Sequence, residues 1–321
     1  MFLTISIIFI LDVCKKESPT TPSPPSPSPP PITQIYVDAT NGNDSTGDGS
    51  ATNPYKTITK GLKKASSGMT VYVKAGIYDQ ALGENFPILM KDGVNLIGTG
   101  PETTIVNCNN NASYVFYDAP NSVIEKFSIK GGSEAGVFCK SSTSTIKNCI
   151  ITDNNKGIHC KASSTIENNK ISLNNSSGIY IVKNSSPNIV NNNITKNGTD
   201  GVECSGSSSP TIRGNTIRDN GEHGIMCKQN SSPLIDGNTI ERNILPGIYC
   251  LFNSRPTINN NIIKNNMRYN IDDARGRNNG LINAEGNTWN NPQPRGTVDG
   301  PADSRPNYWI KNPGNSIKFS D

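Results

Sequence analysis

The chain has 321 residues, a formal net charge of +4 and only 33% hydrophobic residues. Its charges are scattered, with no Lys/Arg block longer than two, so the basic footprint of a nucleic-acid binder is excluded. Forty-four asparagines with abundant Gly, Pro, Ser and Thr would suit a disordered chain, but the apolar residues recur at fixed spacing, which disorder does not require.

The first segment, MFLTISIIFIL, is too short to span a bilayer and reads as the apolar region of an export signal. Cys14 follows in LDVC, in the position of a lipidated cysteine. Asp12 and Val13 stand where small residues are usual, and no Lys or Arg precedes the run. Lipidation at Cys14, plain secretion and a displaced start are the three readings of residues 1–14. Lipidation would make the chain an envelope protein touching the membrane through its anchor alone. Residues 15–34 contain ESPTTPSPPSPSPPPIT, a spacer whose prolines favour extended polyproline II.

Residues 35–105 are expected to form an N-terminal cap and the first coils. Within KTITKGLKKASSG, Ile58, Leu62 and Ala65 have helical spacing, and this short helix is expected to cover an otherwise open sheet edge. Asp38, Asn43, Asp44 and Asp48 lack a regular Ca2+-ligand spacing and are read as turn caps.

From residue 106 to 290 the chain repeats itself. SSPTIRGNTIRDNGEHGIMCKQN (208–230) is followed directly by SSPLIDGNTIERNILPGIYCLFN (231–253). Aligned on the first Ile, the units begin at Ile146, Ile166, Ile189, Ile212, Ile235 and Ile258, and the last four steps are 23 residues each. A fixed period of this size denotes a solenoid. Three short apolar segments per unit, separated by Asn or Ser-Ser-Pro corners, leave no room for a stable helix. They predict three strands per coil, with coils stacked about 4.8 Å apart. From the first Ile, Asn recurs at offsets +3 and +8, Ile at +5, a Gly-Val/Ile pair at +12 and +13, and Cys at +15. The +3 Asn is expected to take the left-handed backbone region and to bond along its column. Residues 291–321 are assigned to a C-terminal cap, with Trp289 and Trp309 closing that end.

Together with the repeats, the stretches YVDATNGNDSTG, NPYKTITKGLKKA, MTVYVKAGIY and DGVNLIG resemble right-handed parallel β-helix proteins of the pectate-lyase-like superfamily. These stretches are similar to an N-terminal segment of unknown function that opens bacterial members. The resemblance covers most of residues 35–290 and implies the fold: all-β, a right-handed parallel β-helix solenoid with a short N-terminal capping helix. It does not imply one activity, because the superfamily includes lyases, hydrolases, epimerases and proteins without known chemistry.

Three groups of residues are candidates for function. Five cysteines, Cys139, Cys160, Cys204, Cys227 and Cys250, fall in the +15 column, with Ile181 in the gap. In-register neighbours point the same way at strand spacing, so they are read as buried free thiols rather than disulfides. At +14, pointing outward, stand Phe138, His159, Tyr180, Glu203, Met226 and Tyr249. At +16, also expected outward, stand Lys140, Lys161, Val182, Ser205, Lys228 and Leu251. Of these, Phe138, His159, Tyr180, Glu203, Tyr249, Lys161 and Lys228 are the candidate polysaccharide-binding residues. Cross-strand packing by residues of high β propensity is the competing explanation.

Charges elsewhere are expected to form solvated ladders, Lys147 on Glu167, Arg213 on Asp236, Arg218 on Glu241, and Lys196 with Asp219 and Arg242. Asp200 and His223 share offset +11 in adjacent coils, with Glu222 alongside. They are the candidate catalytic residues, a His oriented by a carboxylate being a general base. A surface ion pair is the default reading. Asn197-Gly-Thr-Asp200 and Glu222-His223-Gly224 match only fragments of the superfamily's galacturonan-hydrolase motifs. The leading expectation is an exported, envelope-anchored or secreted protein that binds polysaccharide or serves as a scaffold without catalysis. The alternatives are a lyase or hydrolase of acidic polysaccharide and a periplasmic accessory factor for a metalloenzyme. No cofactor or metal is expected, with Ca2+ at Asp38, Asn43, Asp44 and Asp48 the one alternative to turn capping.

Overall fold

A computed structural model describes residues 33–141, 143–275, 282–290, 310–311 and 317–318. Residues 1–32, including Cys14 and most of the spacer, lie outside the described residues, as do Trp309 and most of the C-terminal segment. The described chain is a right-handed parallel β-helix of about nine turns.

Three parallel sheets run along the axis. Sheet 1 begins with Gln34–Val37 and carries a central column from Ile35 through Val71, Leu96, Ile124 and Ile146 to Ile258. Sheet 2 carries Tyr78, Val106, Ile129, Ile151 and the later +5 isoleucines. Sheet 3 carries the Gly-Val/Ile and Cys positions. Each column is fully buried, so the core is a set of aliphatic stacks in which every rung repeats the one below. Two early strands, Thr104–Tyr117 and Ser128–Cys139, run unbroken from sheet 2 into sheet 3. From Asn154 onward, a buried asparagine and a turn interrupt that path.

The capping helix α1 spans Ile58–Lys64 and buries Ile58, Gly61 and Leu62. Thr57 Oγ1 accepts a hydrogen bond from Lys60 N at 3.1 Å. The Glu84 carboxylate accepts from Ile58 N and Thr59 N, so the first amides of this short helix are satisfied from another part of the chain. Gly61 passes close to Ile35, Val37 and Val71, which places the helix over the inward side of the first rungs. Asp38, Asn43, Asp44 and Asp48 all accept backbone amides in the adjoining turns.

The corners depart from expectation in one respect. The left-handed residues are those at +2 and +7, such as Asn168, Asn191, Lys196, Asp219 and Arg242, not the +3 asparagines. The +3 and +8 asparagines turn inward and form two buried ladders. In the +3 ladder, Asn169, Asn192, Asn215 and Asn238 each donate Nδ2 to the Oδ1 of the next, at 3.0 Å per step. The +8 ladder does the same from Asn154 to Asn266. With these asparagines turned inward along the stack, the left-handed turn falls on the residue before each of them.

The cysteine column is in register, Cys139 beside Cys160 and Cys204, Cys227 and Cys250 in succession, and all are buried and free. Bonding to the neighbouring Cys227 thiol, then burial, pushes the Cys250 thiol well above its ordinary value. The charge ladders are partly rearranged. Arg213 meets Asp236 at 3.0 Å as expected. Lys147 instead reaches back to Glu125, Arg218 pairs with Asp219, and Lys264 takes Glu241.

Candidate functional site

The outward row of sheet 3 runs Tyr117, Phe138, His159, Tyr180, Glu203, Met226, Tyr249 and Asp272, one residue per coil in strict register. In its first half the rings form a ladder. Centroids lie 5.3 Å apart for Tyr117 and Phe138, 5.1 Å for Phe138 and His159, and 5.2 Å for His159 and Tyr180. Tyr114 adds a further ring against Phe138 at 4.8 Å. It was not among the sequence candidates, because it lies in the long strand that passes through the corner, ahead of the regular repeat.

Lysines border this ladder. Lys140 lies 5.1 Å from the Tyr117 centroid, Lys161 5.2 Å from Phe138 and Lys156 5.5 Å from Tyr180. The +16 positions do not all face outward: Val182 and Ser205 are buried, while Lys161 and Lys228 fold back over the row. Strand alternation ends at +15, where these three-residue strands stop, so +16 belongs to the turn.

The ladder residues are half-buried rather than freely exposed. Burial, followed by the charges of Lys161, Lys156 and Lys183, lowers the His159 pKa to about 4. Folded chain therefore keeps this ring neutral at pH values where unfolded chain binds the proton. Stability should fall as pH drops from the ordinary 6.5 toward 4. His159→Phe is expected to remove that part of the acid sensitivity in denaturation midpoints measured at neutral pH and near pH 4. Equal acid losses in both proteins would contradict this.

In its second half the row turns polar. Glu203 pairs with Lys228 at 2.6 Å and accepts from Ser177 Oγ at 2.9 Å. Beside it, at the corner between sheets 2 and 3, Asp200 and His223 meet. Asp200 Oδ1 lies 2.8 Å from His223 Nδ1 and accepts from His223 N at 3.2 Å. The pair is buried, with 3% and 6% exposure, rather than a surface ion pair. Neighbouring coils draw the corner in: a Cβ on Gly221 would meet Gly198 O at 2.1 Å. The His223 ring stacks on Tyr249, centroids 4.5 Å apart and planes 4° from parallel, which fixes its orientation. Glu222 lies partly exposed beside the pair. The structure thus brings together Asp200, His223, Glu222 and Tyr249, and connects them along the row to Glu203, Lys228 and Tyr180. Phe138, His159 and Lys161 form the more aromatic end of the same row, joined to the polar end through Tyr180.

The DUF1565 family, described as a protein of unknown function, matches residues 40–295. The chain belongs to this family. Among solved structures, it is similar to the A-module of the Azotobacter vinelandii mannuronan C-5 epimerase AlgE4, at 19% identity and a TM-score of 0.56, covering 71% of this chain and 81% of that one. It is also similar to the pectate lyase Pel9A, at 16% identity and a TM-score of 0.66, covering 80% and 76%. A third similar structure is XylC in complex with xylose, at 11% identity and a TM-score of 0.59, covering 80% and 70%. No curated protein matches. Likeness at these identities carries the fold of this DUF1565 chain and no more.

Proposed function

We propose that this protein binds an acidic polysaccharide without cleaving it, using the outward face of sheet 3 as the platform. The observation that carries this reading is the ladder of Tyr114, Tyr117, Phe138, His159 and Tyr180 bordered by Lys140, Lys156 and Lys161. Ring faces stack on the C–H surfaces of sugars, and ammonium groups meet carboxylates. A platform repeating once per coil suits a partner that is itself a repeating chain. Structures of similar fold are named for mannuronan and pectate, which supports a polysaccharide partner in general terms. Export and a lipid at Cys14, with the proline-rich spacer behind it, would hold the platform off a membrane surface.

Affinity electrophoresis against polyuronates and neutral glycans tests the proposal. Wild-type chain should be retarded by anionic polymers in a salt-sensitive way. Phe138→Ala combined with Lys161→Ala should weaken binding about tenfold or more, with an unchanged fold by circular dichroism. Wild-type chain that binds no anionic glycan would end the reading. A second reading, catalysis on the same polymer, is favoured by the buried Asp200–His223 pair with its fixed ring. Products detected in the same assay, and lost in Asp200→Asn, would replace the first reading with the second.

A further inference from the structure

We propose that Asp200, Glu222 and His223 form a binding site for a divalent transition cation of the Zn2+ class. One imidazole nitrogen and one oxygen from each carboxylate all lie within 4.8 Å of one another. Two carboxylates and an imidazole are ligands for a borderline cation, whereas Ca2+ and Mg2+ take all-oxygen sets.

Four features of the corner support the assignment. Asp200 and His223 are each more than nine-tenths buried, so their geometry is imposed by the fold. The 2.8 Å between Asp200 Oδ1 and His223 Nδ1 is a little below the ~3.3 Å between ligands at ~2.0 Å from a tetrahedral Zn2+. A dication seated between these two atoms needs only a small parting of the pair. Stacking on Tyr249 holds the imidazole plane, as an outer partner does for a metal-bound histidine. Finally, the neighbouring basic group does not oppose the charge: Lys228 is engaged by Glu203 at 2.6 Å.

The solenoid itself does not call for these residues. The same +11 place is filled by Ser177 one coil earlier and by Pro246 one coil later, and the backbone bonds of the column continue through all four. An acid above a histidine, with a second acid beside them, is therefore an addition to the fold rather than part of its repeat. Glu222 is only partly buried, which leaves a side of the cluster open for water or a ligand oxygen to complete the coordination.

This inference is independent of the glycan reading, and its test contains no sugar. The chain has two histidines, His159 and His223, so imidazole nitrogen NMR resolves the site directly. Zn2+ titrated into metal-stripped protein should shift the His223 resonances at a single equivalent and leave those of His159 in place. Calorimetry should show Asp200→Asn and Glu222→Gln each weakening Zn2+ about tenfold or more, and Ca2+ binding far more weakly. Three results would each overturn the proposal. These are Zn2+ binding that leaves His223 unmoved, His223 shifts whose affinity survives both carboxylate substitutions, and preference for Ca2+ over Zn2+. If a variant fails to fold by circular dichroism, the wild-type NMR titration and the Ca2+ comparison still decide.

Discussion

Asn215→Ala is expected to lower the unfolding free energy by about 3–5 kcal/mol, among the largest single losses available outside the aliphatic columns. Asn215 Nδ2 donates to Ile189 O at 2.9 Å, Arg213 O at 3.0 Å and Asn238 Oδ1 at 3.0 Å. Its Oδ1 accepts from both the backbone N and the Nδ2 of Asn192, at 2.8 and 3.0 Å. Truncation leaves several of these groups buried with bonds unmade, and each such group costs about 1–3 kcal/mol. Arg213→Ala, two residues away, removes only an exposed ion pair to Asp236 and should cost less than about 1 kcal/mol. Chemical denaturation of the two variants side by side makes the comparison. Equal midpoints would show that the ladder adds nothing beyond packing.

Gly201→Ala is expected to cost about 3 kcal/mol, toward the upper end of what overpacking does. A Cβ there would stand 2.5 Å from Ile217 Cγ2, 2.7 Å from Gly224 O and 2.9 Å from Asn220 Nδ2. The Gly224 carbonyl belongs to the next coil's backbone, so that clash remains even if the Ile217 and Asn220 side chains give way. Gly237→Ala is the control. Its φ of +65° disfavours a side chain, but nothing lies within 4 Å of the added methyl, so the backbone penalty of about 1–2 kcal/mol stands alone. A Gly201 variant no less stable than the Gly237 variant would mean that the coils part more readily than their contacts imply.

These two cases also show what the sequence makes legible. Ile, Asn, Gly and Cys recur at fixed offsets because each stacks on its own kind, so the columns and the fold class can be read from spacing alone. The position of the left-handed turn cannot, because asparagine suits both that turn and an inward ladder. Only the stacked geometry sends the turn to Asn191, Lys196 or Arg242 and the ladder to the residue after each. For the site, alternation correctly placed the outward row as far as +14, whereas Lys161 and Lys228 bend back across it from the turn. The burial of Asp200 and His223 depends on how closely Gly198 and Gly221 let adjacent corners approach, and no pattern of hydrophobicity records that depth.

From Ile166 to Ile258 every rung of sheet 1 is reached by the same count of residues, and each pairs in register with the rung before it and the rung after it. Loss or gain of one whole unit therefore leaves the buried isoleucine columns and asparagine ladders facing equivalent neighbours, while loss of a single residue in a corner displaces every column beyond it. For the gene this makes length a matter of copy number: in-frame duplication of one unit extends the binding face by a step of about 4.8 Å, and selection can adjust reach without redesigning the core.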